Sequence, residues 1–303
     1  MKIEKIKSKK DNLEIELAIS EPSDVKPKGI VQISHGMAEH KERYFDFMEY
    51  LSSKGYVCVI HDHRGHGASV KAFNDLGYFY TEDINYIVDD LYQVTEYIAS
   101  KYTGLKKYIF SHSMGTLISR NYLKKYDDKI QKIILCGPPT ENKLAGVGVF
   151  FARLVKMLKG EKYRSKFLNT LTFGSYNTKH KIENGWICSN EVAVEGYNKD
   201  NLCGYIFTTN GFINLFKLMK EAYNKENWQM KNKNMPIFII AGKDDKVIQN
   251  EEKFNHLKLF LHSIGYTNIK SKLYEGKRHE LINEDNHMEV YQDVLDFIEE
   301  KTT

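Results

Sequence analysis

The chain has 303 residues, 42% of them hydrophobic and 28% charged, with a formal net charge of +4. That is globular composition rather than disorder, and length enough for one large domain or two smaller ones. The charge is too small, and the basic residues too little interleaved with aromatics, for a nucleic-acid partner. Cys58, Cys136, Cys188 and Cys203 show no C-x-x-C spacing. Cys58 and Cys136 fall inside apolar runs, so buried thiols are expected rather than disulfides. Residues 1–10 are charged without an apolar stretch, and no run of 18 apolar residues occurs, so a soluble cytoplasmic protein is expected.

In chain order, Leu13, Ile15, Leu17 and Ile19 alternate with polar residues, the pattern of a half-buried strand at an antiparallel edge. Continuous apolar runs follow at 29–34, 56–61, 107–111, 132–136, 236–241 and 269–274. Runs this short, separated by helical patterns, read as parallel strands buried on both faces. Ile84, Ile87, Val88, Leu91, Val94 and Ile98 share one helical face, as do Val290, Val294, Leu295 and Ile298. A third helical pattern runs from Thr116 to Tyr126. The alternation predicts a doubly wound, mostly parallel α/β sheet with its site at the carboxyl ends of the strands.

Residues 141–234 break this rhythm, with helical pieces at 147–158 and 212–223 but no comparable strand run. Residues 141–233 hold 15 Lys/Arg and 8 Asp/Glu, a net of +7, whereas the other 29 and 32 leave −3. The stretch is read as an inserted, mainly helical cap that divides the core into residues 1–140 and 235–303.

Chemistry concentrates at Ser111-His112-Ser113-Met114-Gly115, between an apolar strand and a helix. A serine at such a strained strand–turn–helix elbow projects above the sheet edge, and small neighbours are needed on each side. Ser111 stands where the G-x-S-x-G pattern has its first glycine. A nucleophilic serine needs a base and a group that orients the base. The strand at 236–241 ends in Gly242-Lys243-Asp244-Asp245, and the strand at 269–274 is followed by His279. The order Ser113, Asp245, His279 is that of an acyl-transfer triad. Asp245, third after the turn glycine, is favoured over Asp244 as the orienting acid. Oxyanion donors are expected at the N–H of Met114, opening the helix, and the N–H of Met37, in the His35-Gly36 turn.

The segment from His61 to Ser69 holds His61, His63 and His66 within six residues. The metal spacing H-x-H-x-D-H fails because Gly65 stands where the aspartate is required, so no metal is expected. Asp62 to Ser69 is read instead as a turn in which Asp62 and Arg64 hold loops beneath the site. His112 is read as a packing residue, or one that supports the groups around Ser113, rather than as a base.

Taken together, Ser34-His35-Gly36 with Glu39-His40, Asp62 to Ser69, His112-Ser113-Met114-Gly115, and Tyr274-Glu275-Gly276 with His279-Glu280 resemble the monoacylglycerol lipase and lysophospholipase group of serine α/β-hydrolases. The resemblance spans roughly residues 10–140 and 235–300 and carries little of the cap. It implies the α/β-hydrolase fold and ester hydrolysis on monoacylglycerols, lysophospholipids or related small lipid esters. It also implies no metal or organic cofactor. Phe150, Phe151 and Leu154, in an apolar helical stretch of the cap, are candidates for holding an acyl chain. The same stretch and the basic excess suit a transient approach to an anionic lipid surface, or packing on the core or a second subunit. A short-chain carboxylesterase remains open, as does an aminopeptidase in which Glu191 and Glu195 hold an amino terminus. A non-catalytic binding protein is the third alternative.

Overall fold

A computed structural model describes residues 1–23, 25–176 and 180–300. Eight strands form one sheet: β1 (Lys2–Lys7), β2 (Glu14–Ser20), β3 (Gly29–Ser34), β4 (Tyr56–His61), β5 (Lys106–His112), β6 (Lys132–Cys136), β7 (Ile237–Gly242) and β8 (Ile269–Tyr274). Their spatial order is β1-β2-β4-β3-β5-β6-β7-β8; β2 pairs antiparallel with both β1 and β4, and the remaining pairings are parallel. The apolar runs of the sequence are these parallel strands. The first strand read from the sequence is not the edge. β2 lies between β1 and β4, and the edge is β1, a short, charge-rich strand that is largely solvent-facing.

Successive strand residues face opposite sides, so each parallel strand serves two cores. Phe110, Ile134 and Ile240 pack against α1 (Phe45–Ser53) and α9 (His287–Glu299). Their neighbours Ile109, Ile133 and Ile239 pack on the other face against α2 (Asn85–Lys101), α3 (Met114–Tyr126) and α8 (Glu251–Ile264). Between β6 and β7 the chain leaves the sheet and forms α4 (Ala145–Lys159), α5 (Lys166–Phe173), α6 (Glu191–Lys199) and α7 (Thr209–Glu221). This insertion shares a core with the sheet. Phe212, Leu215 and Phe216 of α7 join Leu117 and Ile118 of α3 in one buried cluster. The four inserted helices match the mainly helical character read from the sequence; residues 177–179 within the insertion and 301–303 lie outside the described residues.

Strand order reverses between β3 and β5, because β3 is followed by β4 on one side and β5 lies on the other. A crevice opens at the carboxyl ends of strands at such a switch point. The loop after β3 and the turn after β5 flank it, and these carry Met37 and Ser113.

Candidate active site

Ser113 sits between β5 and α3 with φ 51° and ψ −118°, a conformation that non-glycine residues rarely adopt. Close packing enforces the turn. A Cβ on Gly115 would lie 2.1 Å from the Ser34 carbonyl oxygen, so α3 can meet β3 only through glycine there. Ser111 is tolerated at the other flank because its hydroxyl is absorbed by the sheet, donating to the Ile134 carbonyl at 3.0 Å. The turn brings the N-terminus of α3, at Met114, beside the loop that carries Gly36 and Met37. A Cβ on Gly36 would be 3.2 Å from the Cβ of Ser113.

His279 follows β8, and its Nδ1 donates to Oδ2 of Asp245 at 2.9 Å. The other carboxylate oxygen of Asp245 accepts from the Val247 N–H at 2.7 Å, which fixes the plane of the group. Asp245 is buried, Asp244 is exposed, and α8 takes its N-cap from Asn250 rather than from either aspartate. With Nδ1 donating, the neutral ring keeps Nε2 as its acceptor. Ser113, His279, Met37 and Met114 all line one cavity of about 610 Å³.

Glu39 is the hub beneath these groups. Its Oε1 accepts from the Gly36 N–H, from the Tyr44 hydroxyl at 2.9 Å and from Nδ1 of His112 at 3.2 Å. Its Oε2 pairs with Arg43 at 2.7 Å, and Arg43 forks onto both oxygens of Glu280 at 2.6 Å. Burial would raise the Glu39 carboxyl, but the His112 hydrogen bond and the Arg43 charge hold it well below the usual carboxylate range. Burial would likewise lower His112, yet its bond to Glu39 and that negative charge raise it above an ordinary histidine. His112 therefore does more than pack. Two acids and two bases alternate in a buried, charge-balanced cluster that ties the loop after β3 to the His279 loop.

The insertion roofs the cavity. Trp186 lies over His279 with ring centroids 5.4 Å apart. Arg278 donates to the carbonyls of Gly185 and Cys188, and the Glu280 N–H donates to the Ile187 carbonyl at 2.7 Å. Tyr197 of α6 stacks on the Arg43 guanidinium and donates its hydroxyl to the Ala38 carbonyl. Of the three candidate acyl-chain residues, only Phe151 lines the cavity. Phe150 and Leu154 are exposed, and Phe150 lines a separate surface cleft with Arg153 and Lys217. The reason is helical period. Val147 and Phe151, themselves partly exposed, share the cavity edge of α4, whereas Phe150 and Leu154 lie one residue around; the buried face of the helix carries Ala145, Gly148 and Ala152. Leu144, Leu117, Leu171, Leu215, Phe216 and Met219 complete the apolar wall. Glu191 and Glu195 are exposed on α6 and do not line the cavity.

Asp62 and Arg64 hold loops. Asp62 accepts from the Lys41 and Ala68 N–H groups, and Arg64 is buried against Asp90 and Asp11. His35, His61, His63 and His66 form a buried cluster of rings, with centroids of the contacting pairs 4.3–6.2 Å apart. Among the described residues these rings do not converge as metal ligands. Glu39, Arg43, Trp186 and Arg278 were not singled out from sequence. Only Glu39 lay within a recognised motif.

Residues 25–286 match the family described as "Serine aminopeptidase, S33". A monoacylglycerol lipase of Mycolicibacterium smegmatis is 23% identical over 278 residues, covering 91% of this chain and 89% of its own. A monoglyceride lipase homolog of Monkeypox virus is 27% identical over 288 residues, covering 90% and 88%. The crystal structure of a thermostable carboxyl esterase from Bacillus coagulans superposes with a TM-score of 0.87 at 24% identity, covering 98% of each chain. Spanning both halves of the sheet and the insertion, the match shows that the chain belongs to the serine aminopeptidase S33 family, within the α/β-hydrolase enzymes.

Proposed function

We propose that this enzyme hydrolyses carboxylic esters of lipids, monoacylglycerols foremost, through an acyl-enzyme on Ser113. Ser113 attacks the ester carbonyl while Nε2 of His279 takes its proton. Asp245 keeps His279 in the reactive tautomer and stabilises the imidazolium. The N–H groups of Met37 and Met114 receive the oxyanion, and the start of α3 adds its dipole. His279 then protonates the departing alcohol, and a water deprotonated by His279 releases the fatty acid. Residues 141–234 act as the cap that admits the acyl chain.

One observation carries the choice of substrate. The cavity joins a long apolar wall to a polar end, and no lysine or arginine is among its described lining residues. Glu39, Glu183 and Glu280 are the charged groups there besides histidine. A neutral glycerol head suits that end, and a phosphate does not. The aminopeptidase reading loses the two glutamates on which it rested, since Glu191 and Glu195 lie away from the cavity.

The cap offers a route to aggregated substrate. Leu144, Phe150, Leu154, Met157 and Leu158 are exposed on or beside α4, with Lys156 and Lys159 among them. This face suits transient contact with an anionic lipid surface. No described helix is long and apolar enough to cross a membrane. Four free, buried thiols fit a reducing, cytoplasmic setting. Turnover on monoacylglycerols, lysophosphatidylcholines, short-chain esters and aminoacyl anilides is the test. The monoacylglycerols should lead. Faster turnover of the lysophospholipid or the anilide overturns the assignment.

A further inference from the structure

We propose that His40, Asp200 and Cys203 form a binding site for a divalent cation of the zinc type, bridging the insertion to the loop that carries Met37. One ligand atom from each residue lies within 4.8 Å of the other two. His40 follows β3, whereas Asp200 and Cys203 follow α6, so the site is assembled only when these two segments meet. An imidazole nitrogen, a carboxylate oxygen and a thiolate sulfur suit tetrahedral zinc or cobalt, with a fourth position left for water. His40 and Cys203 are buried, and the Asp200 side chain is 34% exposed, which gives an entry path on one side.

The hydrogen bonding prepares this exchange. Nε2 of His40 lies 2.7 Å from Oδ2 of Asp200, with a proton between them. Ligand atoms sharing one zinc ion stand roughly 3–4 Å apart, so a small opening admits the ion. Nδ1 of His40 is buried without a hydrogen-bond partner. Moving the ring proton from Nε2 to Nδ1 frees the Nε2 lone pair. Oδ1 of Asp200 accepts from the Leu202 N–H at 2.8 Å, so the carboxylate is already oriented with Oδ2 inward. On binding, the metal–sulfur bond forms as the Cys203 thiol proton leaves to solvent, and nothing is oxidised or reduced. Carboxylate and thiolate neutralise the ion. Arg43 is close enough to interact with Cys203, where its charge favours the thiolate, and its own charge is offset by Glu39 and Glu280.

The ion would reinforce contacts already present. The Ala38 carbonyl accepts from the Gly204 N–H at 2.9 Å and from the Tyr197 hydroxyl at 3.2 Å. A bound cation would lock the same two segments together next to the Met37 amide. Binding does not depend on which ester is cleaved, and it is measured without turnover.

The test is titration of the metal-free full chain with Co²⁺, followed by near-ultraviolet and visible absorption and by thermal unfolding. The expected result is a sulfur-to-cobalt charge-transfer band saturating at one equivalent, a rise in Tm, and loss of the band when Zn²⁺ is added. C203S should lose both the band and the rise in Tm while keeping ester hydrolysis, and D200N should weaken the band. Absence of the band in the unmodified chain, or its persistence in both variants, overturns the proposal.

Discussion

The ring of His112 bridges two loops, with Nδ1 3.2 Å from the Glu39 carboxylate and Nε2 3.3 Å from the main-chain oxygen of His279. Both partners only accept hydrogen bonds, so a doubly protonated ring satisfies both; burial works against that form, and the Glu39 bond and charge favour it and raise the pKa of His112. The Glu39 charge therefore reaches the peptide of His279 through one side chain. Glu39→Gln keeps the shape and removes that charge. A charge-assisted hydrogen bond contributes about 1.5–3 kcal/mol, so kcat should fall roughly 10- to 100-fold with KM little changed. Steady-state kinetics decide it, and an unaltered kcat would show that neither loop depends on the carboxylate.

The two adjacent aspartates have opposite fates in the structure, and substitution separates them. Asp245→Asn should cost about 10⁴ in kcat, because an amide stabilises the wrong tautomer of His279. Asp244→Asn should leave kcat within twofold. Ser113→Ala should abolish labelling by a fluorophosphonate and lower turnover at least about a thousandfold, with Tm nearly unchanged. Peptide mass mapping of the labelled residue checks the nucleophile.

Stability should fall in mild acid. Burial pushes His61 and His66 down to about 3, from an ordinary value of 6.5, and also lowers His35 and His63. The unfolded chain takes up protons below about pH 6.5 while the folded one does not, so unfolding gains as pH drops. Each such histidine contributes a slope of up to about 1.4 kcal/mol per pH unit until the folded value is reached. Tm should therefore fall steeply between pH 6.5 and 5. His61→Phe should flatten part of the slope, since neither ring nitrogen of His61 has a partner to lose.

Phe151 and Phe150 are neighbours with separate tasks. Phe151→Trp narrows the cavity and should lower kcat/KM for long acyl chains about tenfold relative to short ones. Phe150→Ser leaves the cavity wall intact and should preserve the chain-length profile. It should weaken sedimentation with anionic vesicles instead. Identical profiles for both variants would remove α4 from substrate selection.

Local pattern made much of the fold legible. Parallel strands buried on both faces appear as apolar runs, and the order Ser113, Asp245, His279 follows from where those runs end. β1 was hidden because its two isoleucines, Ile3 and Ile6, stand three residues apart among charges, so the strand shows no period of two and has little to bury. The orientation of α4 was hidden because its first half, up to Ala152, is apolar on every side and its small residues Gly148 and Ala152, not its large ones, form the buried face. The cluster around Glu39 was hidden for another reason. Its partners stand 73 residues from Glu39 to His112, 167 from His112 to His279 and 237 from Arg43 to Glu280, and only the closed sheet brings them together.

Arg278 and Glu280 fasten the segment from Gly185 to Cys188 directly onto the loop that holds His279. Glu284 extends the fastening, bonding Ser189 of the insertion and the Arg278 N–H of the base loop. Roof and His279 loop are thus joined as one mechanical part. Lifting the roof at this end would carry the His279 ring with it, away from Ser113, and an enzyme held open there is expected to be inactive. On the proposed function, the acyl chain is then expected to enter past α4 and α5, whose residues line the other side of the cavity. An inhibitor wedged beneath Trp186 would then disarm the enzyme without touching Ser113.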